Sequence, residues 1–251
     1  NEFSNRVFTP LEDGSEQYFI QIPTWGKVFN KEKWRGFKEW YLSKSHFDFD
    51  ELQLPKVVRK WSKKSFKREY IKYLVDQNKY FVLPRKSFVT NFGEPGEHFF
   101  NKESKFQRPL RIEYSKSPNY SFVDIATSLS VYDVYMEILP DKLKRINSDL
   151  QNYNFTVDLY GIKPLNQIPT EHILTYKKVA KPILRFGRDA IPHEANIIFK
   201  FEGDDFYLAL KKDVIRRKKG IKTYFDDCMY DDRGLSVMKL VLIDVWKFVN
   251  E

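Results

Sequence analysis

The chain has 251 residues, enough for one large domain or two of ordinary size, and it is basic, with a formal charge of +9. A hydrophobic content of 42% and an aromatic content of 17% exclude a disordered chain. The single cysteine, Cys228, excludes a disulfide framework and fits a reducing compartment. No apolar run reaches the ~18 residues of a membrane helix, and no signal peptide is visible. The sequence opens on Asn1, not Met, so a piece of a longer polypeptide is expected.

Residues 1–17 are polar, carry Thr9-Pro10 and Asp13-Gly14, and read as a loop or arm. Tyr18 to Ile22 alternates as a strand and is halted by Pro23. Asn30 is placed to cap a helix over 31–43. Trp34, Phe37, Trp40 and Tyr41 fall along one side of that helix and predict a core-facing stripe. Residues 44–60 form a connection containing Pro55. Its Asp48-Phe-Asp50 could present hard oxygens to Mg²⁺ or Mn²⁺, but it follows no apolar strand, and a loop role is the simpler reading.

The spacing from Ser65 to Gln77 predicts a helix, with Phe66, Tyr70, Tyr73, Leu74 and Gln77 on one face. Lys63, Lys64, Lys67, Arg68 and Lys72 are expected mainly on the other, toward solvent. Tyr80 to Leu83 reads as a short strand ended by Pro84. A polar run follows, then a loop with Asn91, Gly93 and Gly96, closed by His98. Glycines there let backbone approach a ligand, and the imidazole can bind a metal or carry a proton.

Trp25-Gly26, Pro84 and Asn91-Phe92-Gly93…Gly96-Glu97-His98 are similar in order to the end of the catalytic domain of a bacterial family 2 glycosyltransferase of the GT-A type. The resemblance covers roughly residues 18–100. It implies that Trp25, Gly26, Asn91, Gly93 and Gly96 border the acceptor sugar, and that His98 serves at the metal or diphosphate. In such enzymes a carboxylate near the start of the second helix is the general base, for which Glu69 is the nearest candidate. A Glu69 that faces solvent and pairs with Arg68 or Lys72 is the structural alternative. The resemblance further implies a divalent metal, Mg or Mn, in the full-length enzyme. The implied partners are a nucleotide sugar and a saccharide or lipid-linked acceptor, in cell-surface polysaccharide synthesis. Nothing in the chain resembles the nucleotide-binding half of such an enzyme, so this segment alone is expected to be inactive.

Beyond Phe100 short alternating runs recur between turn signals: Leu110–Tyr114, Val131–Leu139, Phe155–Tyr160, His172–Tyr176, Ile183–Phe186, Asn196–Phe201 and Phe206–Leu210. The last two, joined through Gly203-Asp204-Asp205, read as a hairpin. Pro140 argues against one helix over 131–146, while 141–150 alone could form one. Leu235 to Val249 keeps one apolar face and reads as a closing helix. His193 reads as a loop residue before a strand.

The expected fold class is α+β. Residues 1–104 form the acceptor-side end of a transferase domain. Residues 105–251 form a β-rich accessory domain, an antiparallel sheet or sandwich with a C-terminal helix. The expected location is cytoplasmic, peripheral at the inner leaflet, where the basic helix 63–72 would meet anionic lipid; nucleic acid is not a partner in this reading. The rival reading is a basic, aromatic-rich module that binds glycan or single-stranded nucleic acid without catalysis.

Overall fold

The structure is a computed structural model that describes residues 8–22, 27–89, 110–111 and 120–215. Trp25, Gly26, Asn91, Gly93, Gly96, His98 and the expected helix at 235–249 lie outside the described residues. Among those described, the fold is α+β, with five α-helices and two mixed sheets.

The chain separates into two compact units, and they divide it elsewhere than at 104/105. One contains Pro10–Asp50 with Ser62–Lys142; the other gathers Glu51–Trp61 with the residues from Leu143 onward. Strand pairing explains the first grouping. Strand β1 (Gln17–Ile20) lies antiparallel to β2 (Phe81–Pro84) and parallel to β3 (Val131–Tyr132), so residues past 104 complete the first sheet.

In this first unit Asn30 caps α1 (Lys31–Leu42) as the sequence predicts, its Oδ1 accepting from Lys33 N at 2.8 Å. Helix α3 (Phe66–Asp76) packs on α1 through Phe37, Trp40, Tyr70, Tyr73 and Leu74, with Phe29 and Phe81 closing the cluster. Gly36 permits the close approach, since a Cβ there would stand 3.2 Å from the Tyr73 hydroxyl. The α1 stripe is only half inside: Phe37 and Trp40 are buried, while Trp34 and Tyr41 stay exposed. Trp40 Nε1 donates to Asp76 Oδ2 at 2.7 Å, which satisfies its only polar atom.

The polar face of α3 departs from expectation. Every residue from Arg68 to Leu74 is buried, so Arg68, Glu69 and Lys72 point into the protein and not to solvent. They are tolerated there because they pair with one another.

The second unit holds a short helix α2 (Lys56–Arg59) and a four-stranded sheet in the order β4 (Phe155–Asp158), β5 (His172–Thr175), β7 (Phe206–Leu210), β6 (Pro182–Phe186). The expected antiparallel sheet is corrected here, because β4 and β5 run parallel. Residues 159–171 between them are long enough for the crossover that a parallel pair requires. The expected hairpin of 196–201 with 206–210 is also replaced. Residues His193–Ile198 form helix α5, and β7 pairs with β5 and β6. The Asn196 side chain drives the local choice. Its oxygen accepts from Asp189 N (2.7 Å) and Ala190 N (2.8 Å), and its nitrogen donates to the carbonyls of Ala190 and His193. A side chain so used cannot alternate along a strand. Gly187 and Gly203 pack backbone on backbone, and a Cβ at Gly187 would fall 2.5 Å from the Glu202 carbonyl oxygen.

Helix α4 (Pro140–Ile146) opens on its proline, where the missing N–H is not needed. No helix among the described residues is long and apolar enough to cross a membrane.

Candidate functional site

Of the site residues that the resemblance implies, Glu69 is the one that the structure describes. It sits in the first turn of α3, buried, with Oε1 3.1 Å from Arg68 Nη1 and 3.2 Å from Lys72 Nζ. The pairing of the structural alternative is present, without its solvent exposure. The carboxylate is held by two cations from its own helix, an arrangement that fixes its position closely.

Phe29 packs on the helix that carries this carboxylate. It follows Trp25 by four positions in the sequence and packs on the neighbours of Glu69. Its ring lies 5.1 Å from Tyr70, 6.2 Å from Phe66 and 5.9 Å from Phe81 on β2. Edge-to-face geometry at each of these contacts suits the ring quadrupoles. The strands β1 and β2, antiparallel, lead away to the two motif segments from opposite ends of their ladder, since Ile20 stands opposite Phe81 and Gln17 opposite Pro84.

Two buried carboxylates that sequence reasoning passed over organise the rest. Asp13, assigned to an arm, lies in the interior of the first unit. Its Oδ1 accepts from Ser15 N (3.1 Å), Ser15 Oγ (2.6 Å) and Arg85 Nη2 (2.8 Å). Its Oδ2 accepts from Ser128 Oγ (2.7 Å), Leu129 N (3.0 Å) and Ser130 N (3.3 Å). Arg85 also donates to the carbonyls of Leu11 and Ser15, both at 2.7 Å. Burial pushes the Asp13 carboxyl up, but donation from Ser15, Ser128 and Arg85 outweighs it and holds the group well below the usual carboxylate range. The cluster therefore ties residues 11–15, 85 and 128–130 into one knot. The sequence clue was Arg85 directly after the strand-ending Pro84, a cation at a position where the chain turns inward.

Asp158 ends β4 in the second unit and has no exposed surface. It accepts from Lys163 N (2.8 Å), Lys177 Nζ (2.6 Å) and, at 3.4 Å, Thr175 Oγ1. Lys177 Nζ donates onward to the Lys163 carbonyl at 2.7 Å, so the loops after β4 and β5 are clasped together. Here burial prevails over the Lys177 charge, and the Asp158 carboxyl is pushed up. Nearby, His193 is the first residue of α5, not a loop residue before a strand. Its ring stacks on Tyr160 at 4.7 Å and meets Phe206 at 5.2 Å. A fully enclosed carboxyl does not meet a substrate, so Asp158 acts by holding these loops in place.

Tyr80, at the entry of β2, carries a phenol pushed up to about 12 by burial and by the charges of Asp133 and Asp141. Among the described residues no three of His, Cys, Asp and Glu stand together as a metal site. Asp48 and Asp50, the Asp-x-Asp of the 44–60 connection, are both exposed. Comparison with known proteins returned no matching family model, no matching curated protein and no matching solved structure.

Proposed function

We propose that the chain is the acceptor-side portion of an inverting glycosyltransferase of the family 2 type. It would transfer a sugar from a nucleotide sugar to a saccharide or lipid-linked acceptor in cell-surface polysaccharide synthesis, on the cytoplasmic side. The motifs Trp25-Gly26 and Asn91-x-Gly93…His98 support this reading. The observation that carries it is the packing of Phe29, just after the Trp-Gly motif, on the helix that bears Glu69. An acceptor-binding indole and a base must serve one hydroxyl, so their segments have to be anchored to each other.

In this reaction a base takes the proton of the acceptor hydroxyl as its oxygen attacks the anomeric carbon. The nucleoside diphosphate leaves with the bonding electrons, and configuration inverts. Glu69, whose side chain is 10% exposed where Asp158 is fully enclosed, is the base, held in place by Arg68 and Lys72; Trp25 stacks on the acceptor ring; Asn91, Gly93 and Gly96 border it. A divalent ion of the complete enzyme, with His98 beside it, would offset charge on the departing diphosphate.

The test is release of nucleoside diphosphate from a panel of nucleotide sugars by the intact gene product. Trp25→Ala is expected to lower kcat/KM by about tenfold or more, mainly through KM for the acceptor. No turnover with any donor, or turnover indifferent to Trp25→Ala, overturns the reading.

A further inference from the structure

The outer surface of α1 carries an apolar face that the transfer chemistry does not use. A continuous line of rings runs from Phe66 through Trp34 (5.6 Å), Phe37 (5.5 Å), Tyr41 (5.9 Å) and His46 (5.1 Å) to Phe47 (3.8 Å). Four of these side chains reach solvent: Phe66 is 41% exposed, Trp34 43%, Tyr41 45% and Phe47 78%. The aliphatic side chains of Leu42 (71%) and Val28 (91%) extend the same stretch of chain. Large apolar groups so grouped on a surface mark a docking site.

Charge is arranged around this face. Residues 27–47 hold six Lys or Arg against two Glu, and the exposed Asp48 and Asp50 follow directly after Phe47. On α1, Lys31, Trp34, Lys38, Tyr41 and Leu42 fall along one flank at i, i+3, i+7, i+10 and i+11. Glu32 and Glu39 fall together on another. Lys63 and Lys64 stand exposed just before Phe66. Aromatic and aliphatic groups framed by lysines match the headgroup region of an anionic bilayer, where rings settle at the interface and ammonium groups meet phosphate.

We infer that α1 and the turn after it, with Trp34, Leu42 and Phe47 as inserted groups and Lys31, Lys38 and Lys44 as headgroup contacts, form a docking surface for anionic membrane. This rests on the cytoplasmic setting and lipid-linked acceptor of the proposed function but not on its chemistry. It also moves the membrane contact from α3, whose Arg68 and Lys72 are turned inward, to α1. Nucleic acid fits less well than lipid. Leu42 and Val28 offer no stacking plane, and Trp34 stands at 46° to Phe66, while the nearly parallel Tyr41 and His46 (16°) already stack on each other.

The whole chain is sedimented with vesicles of phosphatidylcholine alone and with vesicles in which about a third of the lipid is phosphatidylglycerol. Binding is expected only to the second. Two variants separate the contributions: Leu42→Ser with Phe47→Ser, and Lys38→Glu with Lys44→Glu, all at exposed positions, with folding checked by near-ultraviolet circular dichroism. Each pair is expected to lower the partition coefficient by about tenfold or more. No binding to anionic vesicles, equal binding to neutral ones, or a fall in only one pair overturns the inference. So does tighter binding of a single-stranded oligonucleotide that both pairs abolish, which would assign the face to nucleic acid. Nucleoside diphosphate release is a separate measurement, so failure of one reading is distinguishable from failure of the other.

Discussion

Asp13 and Asp158 are both carboxylates withdrawn from water and paired with a cation, yet they settle differently. Asp13 receives six hydrogen bonds, three of them from backbone N–H groups, and its acidity is strengthened despite burial. Asp158 receives three, one of them long, and burial prevails. The comparison teaches that the number of aimed donors, more than the presence of a cation, decides whether an enclosed carboxylate is a firm anchor or one that gains from taking a proton. The first is tied to many segments of chain; the second clasps two loops.

The comparison can be broken first at Arg85. Arg85→Ala leaves Asp13 charged and enclosed without its cation and strips the Leu11 and Ser15 carbonyls of a donor. A loss of about 3–5 kcal/mol is expected from the urea denaturation midpoint. A loss under about 1 kcal/mol would show that the six-donor knot is not what anchors the first unit.

Lys177→Met is expected to cost less, about 1–3 kcal/mol, because Asp158 can take a proton when its partner is removed. The two carboxyls also predict opposite responses to pH. A carboxyl raised in the fold binds its proton more tightly there than in the unfolded chain. Its contribution to stability is therefore full below about pH 4 and is lost as pH rises through the folded value. Asp13, held low, contributes above about pH 4, and that contribution is lost only as pH falls toward its depressed folded value. Carboxyl carbon shifts followed by NMR should show Asp158 titrating above the usual aspartate range and Asp13 still ionised well below it. The reverse order would refute the contrast.

The smallest effect sharpens the local side of the argument. Asn30→Ala removes the α1 cap and should cost about 1 kcal/mol, read from the same denaturation midpoint, with vesicle binding by the α1 face little changed.

Much of the fold was legible where local signals and burial agree. The Asn30 cap, the α3 helix, the β2 strand closed by Pro84 and strands β4 to β7 all follow from patterns that a short window contains. The failures share a cause. The run at 196–201 alternates weakly, but Asn196 spends its side chain on the backbone of 189–193 and so ends in a helix. The β4–β5 pair was expected in an antiparallel sheet or sandwich, and only a crossover over 159–171 makes it parallel. For the candidate site, Glu69 and its two cationic neighbours were visible as a sequence triplet, but their enclosure was not.

By itself the sequence determined the Asn30 cap, the end of β2 at Pro84, the basic and aromatic composition of α1 and the α+β class, because each depends mainly on residues close together in the chain. Only the tertiary structure decided that Asp13 is an anchor and not part of an arm, that Arg68 and Lys72 face inward, and that Trp34 and Tyr41 face out. Those outcomes rest on partners more than a hundred residues away, or on which of two apolar faces finds a neighbour. No periodicity within a helix records that choice.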